Sequence, residues 1–261
     1  MLEKLSFLTV KEHSRLRFQP KVDFSFAKTQ HTCPLLATEL FAAASSYPIV
    51  FPAEGTIIPQ AILSAKPNEN NLIGENGEWV GRYLPLHFRR YPFFLGREKK
   101  SDQSTLLIDA AAPQFDEKEG KLLYNKRGDT YSASQTLKDI KTSLIQFDEQ
   151  FQKTQALCKL LKNANVLEPA KLTLTNDGKS QTIRGFSVVS WKKVQELDDA
   201  TLANWSRIGL IQLIHCHLQS INGIAPARNK TAEPAKTEAK PQAKKKVTAK
   251  KAAGKAKKAK K

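Results

Sequence analysis

Arg89-Arg90-Tyr91, with Trp79 and Tyr83 upstream, is the grouping whose residue types fit recognition of an anion or a peptide terminus. A guanidinium offers a planar fork of donors that matches a carboxylate, and aromatic rings hold its faces by cation–π contact. All five residues fall within residues 79–95, W-V-G-R-Y-L-P-L-H-F-R-R-Y-P-F-F-L, where six aromatics, three arginines and two prolines share seventeen positions. Aromatic and Arg side chains of this kind are enriched at binding hot spots. A structural reading competes with the functional one: a guanidinium stacked on an aromatic inside the body, its aliphatic stem packed, binds nothing.

Other groupings that resemble chemistry fail on spacing. Gly178-Lys179-Ser180 has the ending of a phosphate-binding loop, but the glycine required five residues upstream is Thr173. His215-Cys216-His217 reads as a metal motif, yet on a helix ligands share a face at i,i+4, not at i,i+2. His217 falls among Leu210, Leu213 and Ile221 on the helical wheel, which predicts a packed or hydrogen-bonded histidine. No Ser or Cys stands in a nucleophile-elbow setting. Asp116-Glu117 lies in a polar loop, and Asp198-Asp199 suits the start of a helix, where the dipole favours negative charge. The sequence therefore names no catalytic residue, no metal ligand and no cofactor.

Charge is unevenly placed. The 261-residue chain carries +17, and residues 228–261 hold fourteen Lys/Arg against two Glu, a net of +12 that leaves +5 for the rest. From Ala225 onward there is no aromatic residue, so this Lys/Ala-rich tail is expected to be disordered. Lys244, Lys245, Lys246, Lys250, Lys251, Lys255, Lys257 and Lys258 are its candidates for nonspecific polyanion binding, nucleic acid included, through phosphate contacts. The three cysteines, Cys33, Cys158 and Cys216, are too few and too widely spaced for a disulfide framework or a zinc cluster. No run approaches the roughly 18 apolar residues a membrane span needs. The apolar patch at the N-terminus meets Lys11, Glu12, His13 and Arg15 without a cleavage site, so the expected location is cytoplasmic.

The elements that would position these residues follow from periodicity. Phe18, Val22, Phe24 and Phe26 alternate along an extended segment, and Leu36, Leu40, Ala43 and Ala44 suit a short helix ending before Tyr47-Pro48. Residues 49–51 and 57–63 read as strands, and Gly74-Glu75-Asn76-Gly77 as a hairpin turn. The segment after it is expected to be extended, with Pro85 and Pro92 at bends or strand ends and Arg89 and Tyr91 on one face. Residues 106–108 and 122–124 are two further short strands. Then Leu137, Ile140, Leu144, Phe147, Phe151, Cys158 and Leu161 recur at helical spacing, with Thr154 the single polar member. A hairpin around Asn176-Asp177-Gly178-Lys179 and an apolar helix over residues 201–221 complete the body.

The fold class is thus α+β. Short antiparallel strands and hairpins fill the N-terminal half, followed by an amphipathic surface helix at about 134–163 and a buried C-terminal helix at about 201–221. Residues 1–224 form one globular domain, and residues 225–261 form the tail.

Several blocks carry a family likeness: Phe24-Ser25-Phe26-Ala27, Glu39, Tyr47-Pro48-Ile49-Val50-Phe51, Asn71-Leu72, Gly77-x-Trp79, Tyr83-Leu84-Pro85, and Arg89-Arg90-Tyr91-Pro92-Phe93. Together with the helix from Gly209-Leu210 to His217-Leu218-Gln219-Ser220, they make residues 5–224 resemble the SapC family of bacterial proteins. The resemblance implies association with the bacterial surface layer and supplies no catalytic residue. The peptide-transport permease of the same name is set aside by the lack of a membrane span. The expectation is a non-catalytic binding or accessory protein with an unidentified protein or peptide partner. An enzyme with a dispersed active site is the alternative, and a concave pocket holding mutually bonded titratable groups would favour it.

Overall fold

Frequent Pro and Gly cut the first half of the chain into strands of two to six residues, too short to build one broad sheet. The computed structural model describes residues 5–21, 23–97, 104–176, 179–223 and 233–234. In it, β1 (Leu5–Phe7), β6 (Phe93–Arg97) and β7 (Ser104–Asp109) form a three-stranded sheet in the order β1-β7-β6. β2 (Arg17–Phe18) lies between β8 (Phe115–Asp116) and β9 (Lys121–Leu122), and β10 (Tyr124–Arg127) pairs with β11 (Thr130–Ala133). The largest sheet has six strands in the order β14-β12-β13-β4-β5-β3. Its members are β3 (Thr32–Pro34), β4 (Ile49–Pro52), β5 (Gln60–Ile62), β12 (Leu167–Asn176), β13 (Lys179–Val189) and β14 (Glu233–Pro234). Every pairing is antiparallel.

Seven α-helices occur among the described residues: α1 (Val10–His13), α2 (Leu40–Ala44), α3 (Leu86–Arg89), α4 (Gln135–Asn163), α5 (Trp191–Gln195), α6 (Asp199–Arg207) and α7 (Leu210–Gly223). The α+β class expected from periodicity is what the chain adopts. The long surface helix starts where Ser134 accepts a hydrogen bond from the Leu137 N–H at 3.2 Å, and it ends before Asn165, which holds a left-handed φ of 55°. The buried C-terminal helix is present in two pieces. Gly209 at φ +79° breaks it between α6 and α7, because a left-handed residue cannot continue a right-handed helix.

Three cores result, two of them under α4. The main one joins α2, α7 and the C-terminal half of α4 to β3, β4 and β5, with Phe51, Phe88, Leu161 and Ile214 among its fully buried members. The second gathers Leu8, Phe93, Ile108, Leu123 and Tyr124 beneath Leu137 and Leu144 of α4. At 1.5 Å per residue, the 29 residues of α4 span about 43 Å, enough to cover both. Polar side chains fix how the helices seat. His217, fully buried on α7, donates from Nδ1 to the Ile49 carbonyl (2.8 Å) and accepts at Nε2 from the Val189 N–H (3.0 Å). Ser220 Oγ accepts from the Ile49 N–H at 2.9 Å, so α7 satisfies both backbone groups of one β4 residue. Thr154, the polar exception in the α4 stripe, accepts from the Ala37 N–H at 2.9 Å and donates to the Gln150 carbonyl at 2.7 Å.

The segment expected to be extended around Arg89 differs from that expectation. It folds as the helical turn α3, and only from Phe93 does it become a strand. A four-residue helix has almost no stability of its own, so its cause lies elsewhere in the chain.

Candidate functional site

That cause is Glu39. Its carboxylate is buried and accepts three hydrogen bonds: from the Leu36 N–H at Oε1 (2.8 Å), and from the Leu86 N–H and the Tyr83 hydroxyl at Oε2 (2.9 Å each). Leu86 opens α3, and Pro85 before it has no side chain able to cap the turn. An acid remote in sequence therefore supplies the cap. Burial raises the Glu39 pKa above its ordinary value, and the bonds from Leu36, Leu86 and Tyr83 partly oppose that.

Tyr83 is tied from both ends. Its carbonyl accepts from Trp79 Nε1 at 2.9 Å and from the Tyr47 hydroxyl, while its own hydroxyl binds Glu39. Burial pushes Tyr47 up to about 12 and raises Tyr83 as well, with the Glu39 charge second in the latter case. The Trp79 ring packs on Phe24 and Phe88. Upstream, the Gly74 N–H donates to the Glu78 carbonyl, and Gly77 takes φ +82°, the turn read from Gly74 to Gly77. A Cβ on Gly77 would stand 2.6 Å from Asp23 Oδ1 and Ser25 Oγ, so only glycine fits.

Arg89 and Arg90 leave this framework in different directions. Arg89 is exposed, donates from Nε to the Leu84 carbonyl at 2.8 Å and lies over the Tyr83 ring at 5.3 Å. Arg90 is half-buried between the rings of Phe147 (4.5 Å) and Phe94 (5.1 Å). Its Nη2 donates to His87 Nδ1 at 3.3 Å, which places the His87 proton on Nε2. Burial, and then the Arg90 charge, lower His87 to about 4, so it is neutral at physiological pH. Burial also lowers the Arg90 pKa. The guanidinium makes no salt bridge among the described residues, and its buried Nε has no partner. Tyr91 turns inward, stacked on Phe26 at 3.8 Å, with its hydroxyl donating to Asp109 Oδ2 at 3.2 Å.

Arg89, Arg90 and Tyr91 form one wall of a cleft of about 590 Å³ between α3 and α4. Phe18, Leu36, Leu86 and Phe93 line it on the same side, and Asp139, Ile140, Ser143, Leu144, Phe147 and Gln150 come from α4. The cleft borders the second core, whose Phe18, Phe93, Ile140 and Leu144 line it, under the N-terminal half of α4. Trp79 and Tyr83 lie behind it, in the Glu39 network, and are not part of its lining. Sequence reasoning missed the whole α4 wall and the organising role of Glu39. The apolar stripe of α4 was visible, but which turn of it faces α3 is a tertiary fact. The polyanion candidates Lys244, Lys245, Lys246, Lys250, Lys251, Lys255, Lys257 and Lys258 lie outside the described residues.

The residues of the other motifs are taken up structurally. His217 bridges β4 and β13, while His215 packs against Trp191 at 5.1 Å, so the two imidazoles do not converge. The three cysteines are unpaired, and burial pushes Cys158 up to about 12. Asp198 caps α6, accepting from the Thr201 N–H at 2.9 Å. No helix among the described residues is long and apolar enough to cross a membrane.

Phe26, Glu39, Tyr47, Trp79, Tyr83 and the run from Arg89 to Phe93, all carriers of the family likeness, thus meet around one helical turn. The SapC family model matches residues 8–226. The chain belongs to the SapC family. Neither a curated protein nor a solved structure matches it. In this SapC-family chain the matched region takes in the seven described helices and the whole cleft, and it ends at residue 226, at the start of the stretch read as the tail. Within the cleft, the titratable groups Arg89, Arg90, Tyr91 and Asp139 bond to Leu84, His87, Asp109 and Gln135 respectively. His87 and Asp109 are themselves titratable, so Arg90 and Tyr91 each sit in a bonded pair at the edge of the cleft.

Proposed function

We propose that this protein is a non-catalytic binding or accessory protein and that the α3–α4 cleft is where it engages its partner. The observation that carries the reading is Arg90. It is a half-buried guanidinium with both faces on aromatic rings, an unpartnered Nε and no salt bridge among the described residues, and it borders a preformed apolar cleft. The Asp148 carboxylate acts on this charge without a salt bridge to it among the described residues, so the guanidinium keeps donor capacity for a ligand. The pairing of an apolar concavity with one convergent polar group is the usual form of a binding site.

The test is retention by the whole chain carrying Arg90→Met, which keeps the stem's packing and removes the charge. Wild type immobilised in lysate of its own cell should hold a species that the variant loses. Equal retention by both proteins contradicts the role given to Arg90. The surface-layer association implied by the family resemblance is tested by fractionation: recovery with the layer supports it, and recovery wholly with the cytosol contradicts it.

The tail has a separate part in this reading. Its lysines confer nonspecific retention on polyanions, each phosphate contact steepening the salt dependence by about 0.9 log units per log salt. The full chain should elute from heparin at clearly higher salt than a chain ending at Ala225. Coincident elution removes the tail from the function.

A further inference from the structure

We propose that the α3–α4 cleft takes a small amphiphilic monocarboxylate, an aliphatic or aryl-alkyl acid, with its carboxylate on Arg90 and its apolar body along Phe18, Phe93, Ile140 and Phe147. This rests on the binding reading above and names the ligand class for the same site.

Three observations select that class. The first is charge. Arg90 sets one cation against the apolar lining while the Asp148 carboxylate of α4 already acts on it, so a singly charged acid fits the site better than a dianion. A dianion such as a phosphate monoester would need a second free cation, yet Arg89 is already turned onto Tyr83 and the Leu84 carbonyl. The second is donor geometry. Nη2 of Arg90 is engaged by His87, Nε is buried, and Nη1 has no protein partner among the described residues. That leaves one edge for an incoming acceptor, and a charge-assisted bond in an apolar setting is about twice as strong as a neutral one. The third is the lining itself. Most of it is aromatic and aliphatic, and a volume of about 590 Å³ lies in the range that drug-sized ligands fill.

A small acid needs only the guanidinium and the apolar floor.

The experiment is calorimetric titration of the full chain with decanoate and, separately, with decanol, which keeps the chain length and lacks the charge. Two variants accompany it: Arg90→Met, and Ser143→Trp, which puts an indole into the cleft from an exposed position on α4. Decanoate should bind wild type at least about tenfold more tightly than decanol, a discrimination expected of one charge-assisted contact. Arg90→Met should remove that preference, and Ser143→Trp should abolish binding of both. Equal affinity for acid and alcohol, an unchanged preference in Arg90→Met, binding that survives Ser143→Trp, or no decanoate binding at all overturns the assignment. If decanoate fails while wild type still retains a lysate species that Arg90→Met loses, the ligand class is wrong and the cleft stands. If both fail, both readings fall. Circular dichroism of the variants separates loss of binding from loss of fold.

Discussion

Glu39 and Arg90 divide the work of the site between them, one by shaping it and the other by charging it. Glu39 has no access to solvent through which a ligand could be held, and its two oxygens are spent on Leu36, Tyr83 and Leu86. Replacing it with Gln turns an amide NH₂ towards a backbone N–H, and should cost about 1–3 kcal/mol at neutral pH. The pH dependence has a definite sign. Because the folded state raises the Glu39 pKa above 4.5, folding favours its protonated form. The contribution is largest below the ordinary carboxyl value and falls as pH rises through the folded pKa. The stability gap between wild type and Glu39→Gln should therefore narrow as pH is raised above 4.5, as followed by urea melts. A gap that widens with pH contradicts the burial argument. Arg90 was legible as an anion or partner candidate because its type and neighbours are rare. Glu39 was legible only as one residue of a family likeness, since nothing local reveals that a single acid will cap a turn 47 residues away.

At the scale of elements, the sequence was clearest where periodicity is long. α4, the β12–β13 hairpin and the apolar C-terminal helix follow from spacing alone, and only the break at Gly209 needed the backbone to reveal it. α3 was read as extended because Pro85 and Pro92 bracket it, and four residues carry too little period to say otherwise. Thr154 is the converse case. It breaks the α4 stripe in the sequence, and in the fold it is the group that satisfies Ala37. The docking of α7 yields its own prediction. His217 is neutral, with its pKa lowered from 6.5 to about 4 by burial. A lowered folded value means the unfolded chain takes up the proton first, so stability is fully present above 6.5 and is lost as pH falls towards 4. His217→Gln should start less stable at neutral pH and lose less on acidification. His87, also lowered to about 4, keeps some of the slope. Thermal melts from neutral pH down to about pH 4 measure the difference, and identical slopes would remove His217 as its source.

For the whole molecule, the decisive feature is one long helix laid over two of the three cores, with the cleft beside the second. The α+β class was legible because strand-like and helix-like patterns separate along the chain. The pairing of β6 with β7, and the way α4 bridges from that sheet to the main core, were not, because register and long-range packing leave no local mark. The cleft borders the second core, and its walls come from four separate stretches of sequence, at residues 18, 36–38, 86–93 and 139–150. The most direct measurement of the central claim is native mass spectrometry of the full chain isolated from its own cells, beside the same chain carrying Ser143→Trp. Wild type should carry a noncovalent added mass that the filled cleft excludes. A bare wild type, or the same added mass on both proteins, would contradict the assignment of the α3–α4 cleft as the binding site.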